Sequence, residues 1–156
     1  MIDTSITLDE LNARNKGNMG EVLGFEFVEI NPEYLMARMP VDSRTWQPLH
    51  LLSGGASAAL AETVGSMAAY LSLDRTQYYC LGLDIKCNHI RSVAEGYVYA
   101  TARPVHVGRR THVWQIEAKD VDGKLVTLTT LTMAVLEIDA EMRARYRDLF
   151  FKGDKV

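Results

Sequence analysis

One stretch constrains the fold more than any other: a run of small and apolar residues from Ser53 to Leu71. It opens on two glycines, Gly54 and Gly55, and carries one charged side chain, Glu62. A helix that is apolar on all sides has to be buried on all sides. No Lys or Arg lies three or four residues from Glu62 to pair with it. Because burying an unpaired carboxylate is costly, Glu62 needs a partner from elsewhere and is the first candidate for chemistry.

The rest of the chain has the pattern of strands joined by tight turns. Two strands precede the long helix, and turn residues at Asn31-Pro32, Glu95-Gly96 and Asp122-Gly123 separate the strands. The six predicted strands are Gly24–Glu29, Tyr34–Met39, Tyr78–Ile90, Tyr97–His106, Thr111–Asp120 and Leu125–Glu137. The pattern predicts an α+β fold in which a curved antiparallel sheet wraps one long central helix. The helix would still need cover on its second side, which favours self-association.

The two ends of the chain are predicted to be helical. Thr7 and Glu10 form a capping box that starts a short N-terminal helix. Ala140 to Phe151 has a loose apolar stripe of Met142, Tyr146, Leu149 and Phe150. We therefore expect one domain over residues 1–138 and a C-terminal helical extension over 139–156.

Composition excludes several classes of function. The 156 residues carry a net charge of −3, so no overall positive field favours nucleic acid. No apolar run approaches the roughly 18 residues that span a membrane, and the N-terminus lacks the basic start of a secretory signal. Cys80 and Cys87, seven apart in one predicted strand, should face opposite sides and stay unbridged, which suits the cytoplasm. No His, Cys or Asp spacing predicts a metal site.

The geometry of the helix limits which of its residues can contact the same substrate group. Free N–H groups at a helix start carry partial positive charge, and Gly54 and Gly55 allow a substrate carbonyl to approach them. Gly54 and Glu62 lie eight residues apart, so they are ~12 Å apart along one helix and cannot contact the same small group. If both act, Glu62 must come from a second subunit whose helix runs antiparallel, in a two-fold dimer. Ser66 shares a face with Glu62 and could position the carboxylate.

Several short motifs, taken together in order, resemble one known family. They are Met39–Thr45, Gln47-Pro48, Gly54–Ser57, Ala61-Glu62, Asn88-His89, Arg91-Ser92 and Gly108-Arg109. Over about Thr7 to Leu136 the chain is similar to hot-dog-fold acyl-CoA thioesterases, in the group that holds 4-hydroxybenzoyl-CoA and 1,4-dihydroxy-2-naphthoyl-CoA thioesterases. The resemblance implies hydrolysis of an acyl-CoA with an aromatic or medium acyl group, by a dimer or a dimer of dimers. Coenzyme A is then part of the substrate, and no separate cofactor is expected.

The resemblance also implies roles for individual residues. Glu62 would be the nucleophile or general base, Gly54 would polarise the thioester carbonyl, and Gln47 and Ser66 would assist. The residues implied for binding substrate and coenzyme A are Ser53, Gly55, Gly82, His89, Ile90, Arg91, Ser92, His106, Val107, Gly108, Arg109, Arg110 and Thr111. Arginine suits the phosphates of the nucleotide, although the same arginines could instead keep a solvated sheet edge from aggregating.

One departure from the family pattern opens alternatives. Ser53 stands where the family usually has a histidine, and it lacks imidazole acid–base chemistry. His50, in the preceding loop, is expected to be a polar loop residue. The alternatives are a proofreading hydrolase of acyl-carrier-protein thioesters and a protein that binds acyl-CoA without turnover.

Overall fold

One antiparallel sheet and one long helix form the frame of the molecule. The computed structural model describes residues 1–145. Its elements are α1 (Leu8–Ala13), α2 (Met19–Leu23), β1 (Glu26–Asn31), β2 (Tyr34–Pro40), α3 (Gly54–Tyr70), β3 (Tyr78–His89), β4 (Tyr97–Val107), β5 (Thr111–Lys119), β6 (Leu125–Glu137) and α4 (Ala140–Arg145). All six predicted strands and the long helix are confirmed, with ends displaced by up to three residues.

The strands form a single sheet in the order β1-β2-β4-β5-β6-β3. Every neighbouring pair is antiparallel. β6 is interior, as its length and apolar character predict, and within residues 1–145 β3 is an edge strand paired only with β6. Among residues 1–145, no helix is long and apolar enough to cross a bilayer.

The core lies between α3 and the inner face of the sheet. α3 contributes Leu60, Val64 and Ala68, which are fully buried. Alternation along β5 places His112, Trp114, Ile116 and Ala118 on the inner face, as the sequence predicts. These side chains remove apolar surface from water and thereby fix the helix on the sheet.

The opposite side of α3 is only partly covered in the single chain. Glu62 and Gly55 are exposed in the single chain, and Thr63 and Met67 are half-buried. One sheet covers only one side of a helix, so the expected burial of this second side depends on self-association, which a single chain does not test. The short N-terminal helices reach this side, and Asn12 anchors α1 to β1 by exchanging two hydrogen bonds with the Phe27 backbone.

A bulge in β3 changes which side chains face the helix. Gly82 pairs with Met133 and Asp84 with Thr132, so Leu83 is the extra residue. Because the bulge reverses the alternation, Cys80 and Cys87 both face inward, and the prediction of opposite faces is wrong. The two positions are still seven apart along the strand, which separates them by roughly 20 Å, and both thiols are free. Burial raises the pKa of Cys80 to about 11.

The C-terminal helix begins where the sequence predicts. α4 starts at Ala140, and the Asp139 carboxylate accepts a hydrogen bond from the Met142 N–H at its first turn. The remaining members of the predicted stripe, Tyr146, Leu149 and Phe150, lie outside the described residues.

Gly65 allows α3 to approach the sheet, and its replacement tests that contact. A Cβ there would lie 2.7 Å from Leu131 Cδ2 and 3.1 Å from Ile116 Cδ1, both in the closed core. We expect Gly65→Ala to lower the free energy of unfolding by about 1–3 kcal/mol relative to Gly55→Ala, since overpacking outweighs the gain in helix propensity. Gly55, on the same helix, has no such neighbour. Urea unfolding of the two variants measures the difference, and equal stabilities would contradict the tight contact.

His112 makes stability depend on pH. Burial lowers the pKa of His112 below its ordinary value of 6.5, while a hydrogen bond with the Gly108 backbone opposes this. The unfolded chain therefore binds a proton before the folded chain does, and stability falls as pH drops below about 6.5. His112→Gln should remove this part of the dependence when unfolding free energies are measured from pH 8 to 5. An unchanged slope would show that other groups cause the acid sensitivity.

Candidate functional site

The start of α3 forms one wall of a pocket. Ser53 precedes the helix in extended conformation (φ −67°, ψ 134°) and its side chain makes no capping hydrogen bond. No carbonyl among the described residues accepts the Gly54 N–H, so this donor is available to a ligand. The pocket has a volume of about 240 Å³, and its lining is Gln47, Leu51, Leu52, Gly54, Ser57, His89, Ile90, Arg91, Ser92, Val126 and Thr127. The structure thus brings together Gln47, Gly54 and the predicted segment 89–92.

The loop before α3 holds Gln47 in a defined orientation. Thr45 ties the loop to the helix start, since its carbonyl accepts the Ser53 N–H at 2.8 Å. The Gln47 Oε1 accepts a hydrogen bond from the Leu49 N–H at 2.7 Å. The side-chain NH₂ of Gln47 is therefore the end left to donate to a ligand or water. His50 stacks on Trp46 at 5.0 Å between ring centroids and does not line the pocket, which fits a loop residue.

Glu62 lies in a second and larger cleft. This cleft has a volume of about 660 Å³ and lies over the outer side of α3. Its lining is Arg14, Asn15, Asn18, Met19, Gly20, Ala59, Glu62, Thr63, Ser66, Met67, Tyr70 and Cys80. Glu62 has no hydrogen-bond or ion-pair partner within the described part of the chain. Ser66 shares the cleft, but its hydroxyl donates to the Met133 sulfur at 3.7 Å and not to Glu62.

Gly82 forms the floor beneath the Glu62 carboxylate. The β3 bulge turns Gly82 toward the helix, and a Cβ there would lie 2.6 Å from Glu62 Oε1. Only glycine leaves room for this side-chain position. The resemblance implied coenzyme A contact for Gly82, whereas in the single chain it contacts the carboxylate.

The remaining predicted binding residues lie at a third place. His106 to Thr111 form the end of β4 and its turn into β5, where the ring of His106 packs over Gly108. A cleft of about 400 Å³ beside this turn is lined by Tyr78, Arg109, Arg110, Ala134, Val135, Leu136 and Glu137. Arg91 is near the other end of β6, where its N–H donates to the Val126 carbonyl. Some eight strand residues separate the two arginine sites, which is on the order of 25 Å within one chain.

Sequence reasoning missed part of both clefts. It did not place Ser57 or Thr127 at the helix-start pocket, nor Arg14 and Met19 beside Glu62. Strand pairing could have indicated Thr127, because it lies opposite His89 on β6. No local pattern shows that α1 and α2 approach the outer side of α3, since that depends on tertiary packing.

Comparison with known proteins decides the family. Residues 49–127 match the thioesterase superfamily. The chain belongs to this superfamily. It is 49% identical over 131 residues to the 1,4-dihydroxy-2-naphthoyl-CoA hydrolase of Escherichia coli, covering 84% of this chain and 96% of that protein. It is 44% identical over 131 residues to the proofreading thioesterase EntH of Cronobacter turicensis, covering 84% and 95%.

Solved structures agree with the sequence relatives. A crystal structure of a variant of thioesterase PA1618 from Pseudomonas aeruginosa superposes with a TM-score of 0.85 at 48% identity, covering 87% of this chain and 98% of that one. The thioesterase described here therefore has the hot-dog fold and is a thioester hydrolase. Among its described residues, no cluster of His, Cys, Asp and Glu could hold a metal ion.

The contact between Gly82 and Glu62 gives a test of the carboxylate position. If Glu62 acts on the thioester, as the family resemblance implies, Gly82→Ala should displace its side chain and reduce kcat/KM by ~10- to 100-fold, because small displacements of a reacting group are costly. In a Glu62→Ala background, the same substitution should have no further effect. Thiol release measured for the two single variants and the double variant forms the cycle. Additive losses would indicate that Gly82 acts independently of Glu62.

Proposed function

We propose that this thioesterase hydrolyses acyl-CoA thioesters in a site shared by two copies of the chain. The observation that carries the proposal is the separation of Gly54 and Glu62 into different clefts of one rigid helix, ~12 Å apart along its axis. One thioester cannot contact both within one chain. A two-fold dimer with antiparallel α3 helices would place the partner's Glu62 opposite the Gly54 pocket.

The chemistry follows from the groups that would meet there. The Gly54 N–H donates to the thioester carbonyl oxygen and stabilises the negative charge that develops on it. The partner's Glu62 takes a proton from water while the water oxygen bonds to the carbonyl carbon. The C–S bond then breaks, and the proton passes to the departing coenzyme A sulfur. Direct attack by Glu62, followed by hydrolysis of the resulting anhydride, would have the same net balance. Gln47 would use its free NH₂ to orient the water or the carbonyl, and Ser66 would support the carboxylate.

The β3 edge supports such a dimer. β3 has 12 residues, is paired on one side only within residues 1–145, and carries the exposed side chains of Leu81 and Leu83. A long apolar edge strand is a natural pairing surface. Antiparallel pairing of two β3 strands about a central two-fold axis would bring the His89 end of one strand to the Tyr78 end of the other. Gly82 and Glu62 of the partner would then approach the Gly54 pocket.

The same pairing would unite the two arginine sites. Arg91 lies at the His89 end of β3, whereas Arg109 and Arg110 lie beside Tyr78 at the other end. In the dimer, the partner's Arg109 and Arg110 would face Arg91, and together they could bind the phosphates of coenzyme A. Assembly into a dimer of dimers and a cytoplasmic location, which the free thiols of Cys80 and Cys87 suit, belong to the same proposal.

The cleft beside Glu62 supports an aromatic or medium acyl group. Ala59, Met67 and Tyr70 give it an apolar wall, and its 660 Å³ is in the range of small-molecule sites. The naphthoyl-CoA substrate in the name of the Escherichia coli relative is of this kind. We therefore favour an aryl-CoA as the first substrate to test.

An acyl-carrier-protein thioester is the second candidate, because one relative is named a proofreading thioesterase. Such a substrate has the same thioester but no nucleotide. Turnover of acyl-CoA and of the acyl carrier should be compared in the wild type and in Arg109→Ala. A loss confined to acyl-CoA supports the coenzyme A proposal, whereas faster turnover of the carrier with no effect of Arg109→Ala favours proofreading.

The role of the Gly54 N–H can be tested without removing a side chain. Gly54→Pro deletes this N–H, while proline is well tolerated at the first helical position and Ser53 already has the extended conformation that precedes proline. We expect kcat to fall ~100- to 1000-fold, as when other oxyanion donors are removed. Gly54→Ala is the matched control, since it keeps the N–H while both variants place a Cβ against the ring of His89. A Gly54→Ala variant that is active, but no more active than Gly54→Pro, would exclude this N–H as the carbonyl donor.

Mixing two inactive variants tests whether the site is shared. Glu62→Ala and Gly54→Pro should each be inactive alone. Subunits exchanged at equal amounts give half heterodimers, each with one intact site, so activity should recover to about one quarter of wild type. A mixture that stays inactive, although mass measurements show heterodimers, would place the whole site within one chain.

A further inference from the structure

The imidazole ring of His89 lies directly over the start of α3. A Cβ on Gly54 would be 3.0 Å from both Cε1 and Nε2 of His89, so the ring is in contact with the first turn of the helix. β3 places it there because His89 is the last residue of the strand and faces inward, opposite Thr127. A larger residue at position 54 would require this ring to shift by a few tenths of an ångström.

The ring is available for a ligand. Neither nitrogen of His89 has a hydrogen-bond partner within residues 1–145, and the side chain is exposed to the pocket that also contains Gln47 and Gly54. Ser53, at the position before the helix, offers a hydroxyl and no ring. Among the described residues that line this pocket, His89 is the one imidazole.

We propose that His89 donates a hydrogen bond from Nε2 to the thioester carbonyl oxygen, beside the Gly54 N–H. The inference rests on the proposed function and gives His89 a catalytic role in place of coenzyme A binding. An oxygen seated beside Gly54 would lie near both donors, because even a Cβ built on Gly54 would be 3.0 Å from Nε2. Two converging donors are the usual arrangement for stabilising an oxyanion. This chain would thereby keep an imidazole at the carbonyl although position 53 is serine.

The position of the donor nitrogen predicts which substitutions of His89 retain activity. The amide nitrogen of glutamine reaches the place of Nε2, whereas the amide of asparagine reaches the place of Nδ1. Phenylalanine keeps the shape of the ring and has no donor. His89→Phe and His89→Asn should lower kcat ~10- to 1000-fold, and His89→Gln should retain a large part of it.

The substrate distinguishes this role from a contact with the nucleotide. The variants should be assayed with an aryl-CoA and with the same acyl group on N-acetylcysteamine, which has the thioester and lacks the nucleotide. We expect His89→Phe to lower kcat/KM by the same factor on both substrates, with thermal unfolding unchanged.

The assays distinguish failure of the role of His89 from failure of the proposed function. A loss confined to the aryl-CoA, or one seen mainly in KM, would make His89 a nucleotide contact and overturn the inference. Equal activity of His89→Gln and His89→Asn would also overturn the assignment to Nε2. A wild-type protein that hydrolyses neither substrate would contradict the proposed function itself, which is a different result from hydrolysis that does not depend on His89.

Discussion

The rigid spacing of two groups on one helix is the constraint on which the rest of the structure depends. α3 carries a free N–H at Gly54 and a carboxylate at Glu62, eight positions apart, and a helix cannot shorten that distance. The two groups accordingly line separate clefts. An enzyme that uses both groups must bring two helices together, so its active site forms only when two chains assemble. The exposed second side of α3 and the unpaired edge of β3 fit that requirement.

Glycines set how closely the helix and the sheet approach. Gly65 lets α3 lie on Leu131 and Ile116, Gly54 admits the ring of His89, and Gly82 leaves room for the Glu62 carboxylate. The bulge at Leu83 is what turns Gly82 toward the helix. A single extra residue in an edge strand thus determines which side chains of β3 face α3.

Much of the fold follows from local sequence, and the site follows only in part. Alternation along β5 identified its buried face, the Asp122-Gly123 turn located a hairpin, and the two glycines marked the start of α3. The facing of Cys80 and Cys87 was mispredicted because a bulge has no clear signal in the sequence. Cover on the outer side of α3 stays a prediction, because it depends on a second copy of the chain. The sequence gives no sign that Arg91 and Arg109 lie far apart, whereas strand pairing places them at opposite ends of β6.

A crystal structure with a non-hydrolysable aryl-CoA analogue would test the central claim most directly. The account predicts that the analogue's carbonyl oxygen lies within 3.2 Å, about the limit of a good hydrogen bond, of the Gly54 nitrogen of one chain. The Glu62 carboxylate nearest the reacting carbon should belong to the other chain. If the Gly54 nitrogen and the Glu62 carboxylate nearest the analogue belong to the same chain, the site is not shared. An analogue bound away from the start of α3 would also contradict the proposed site.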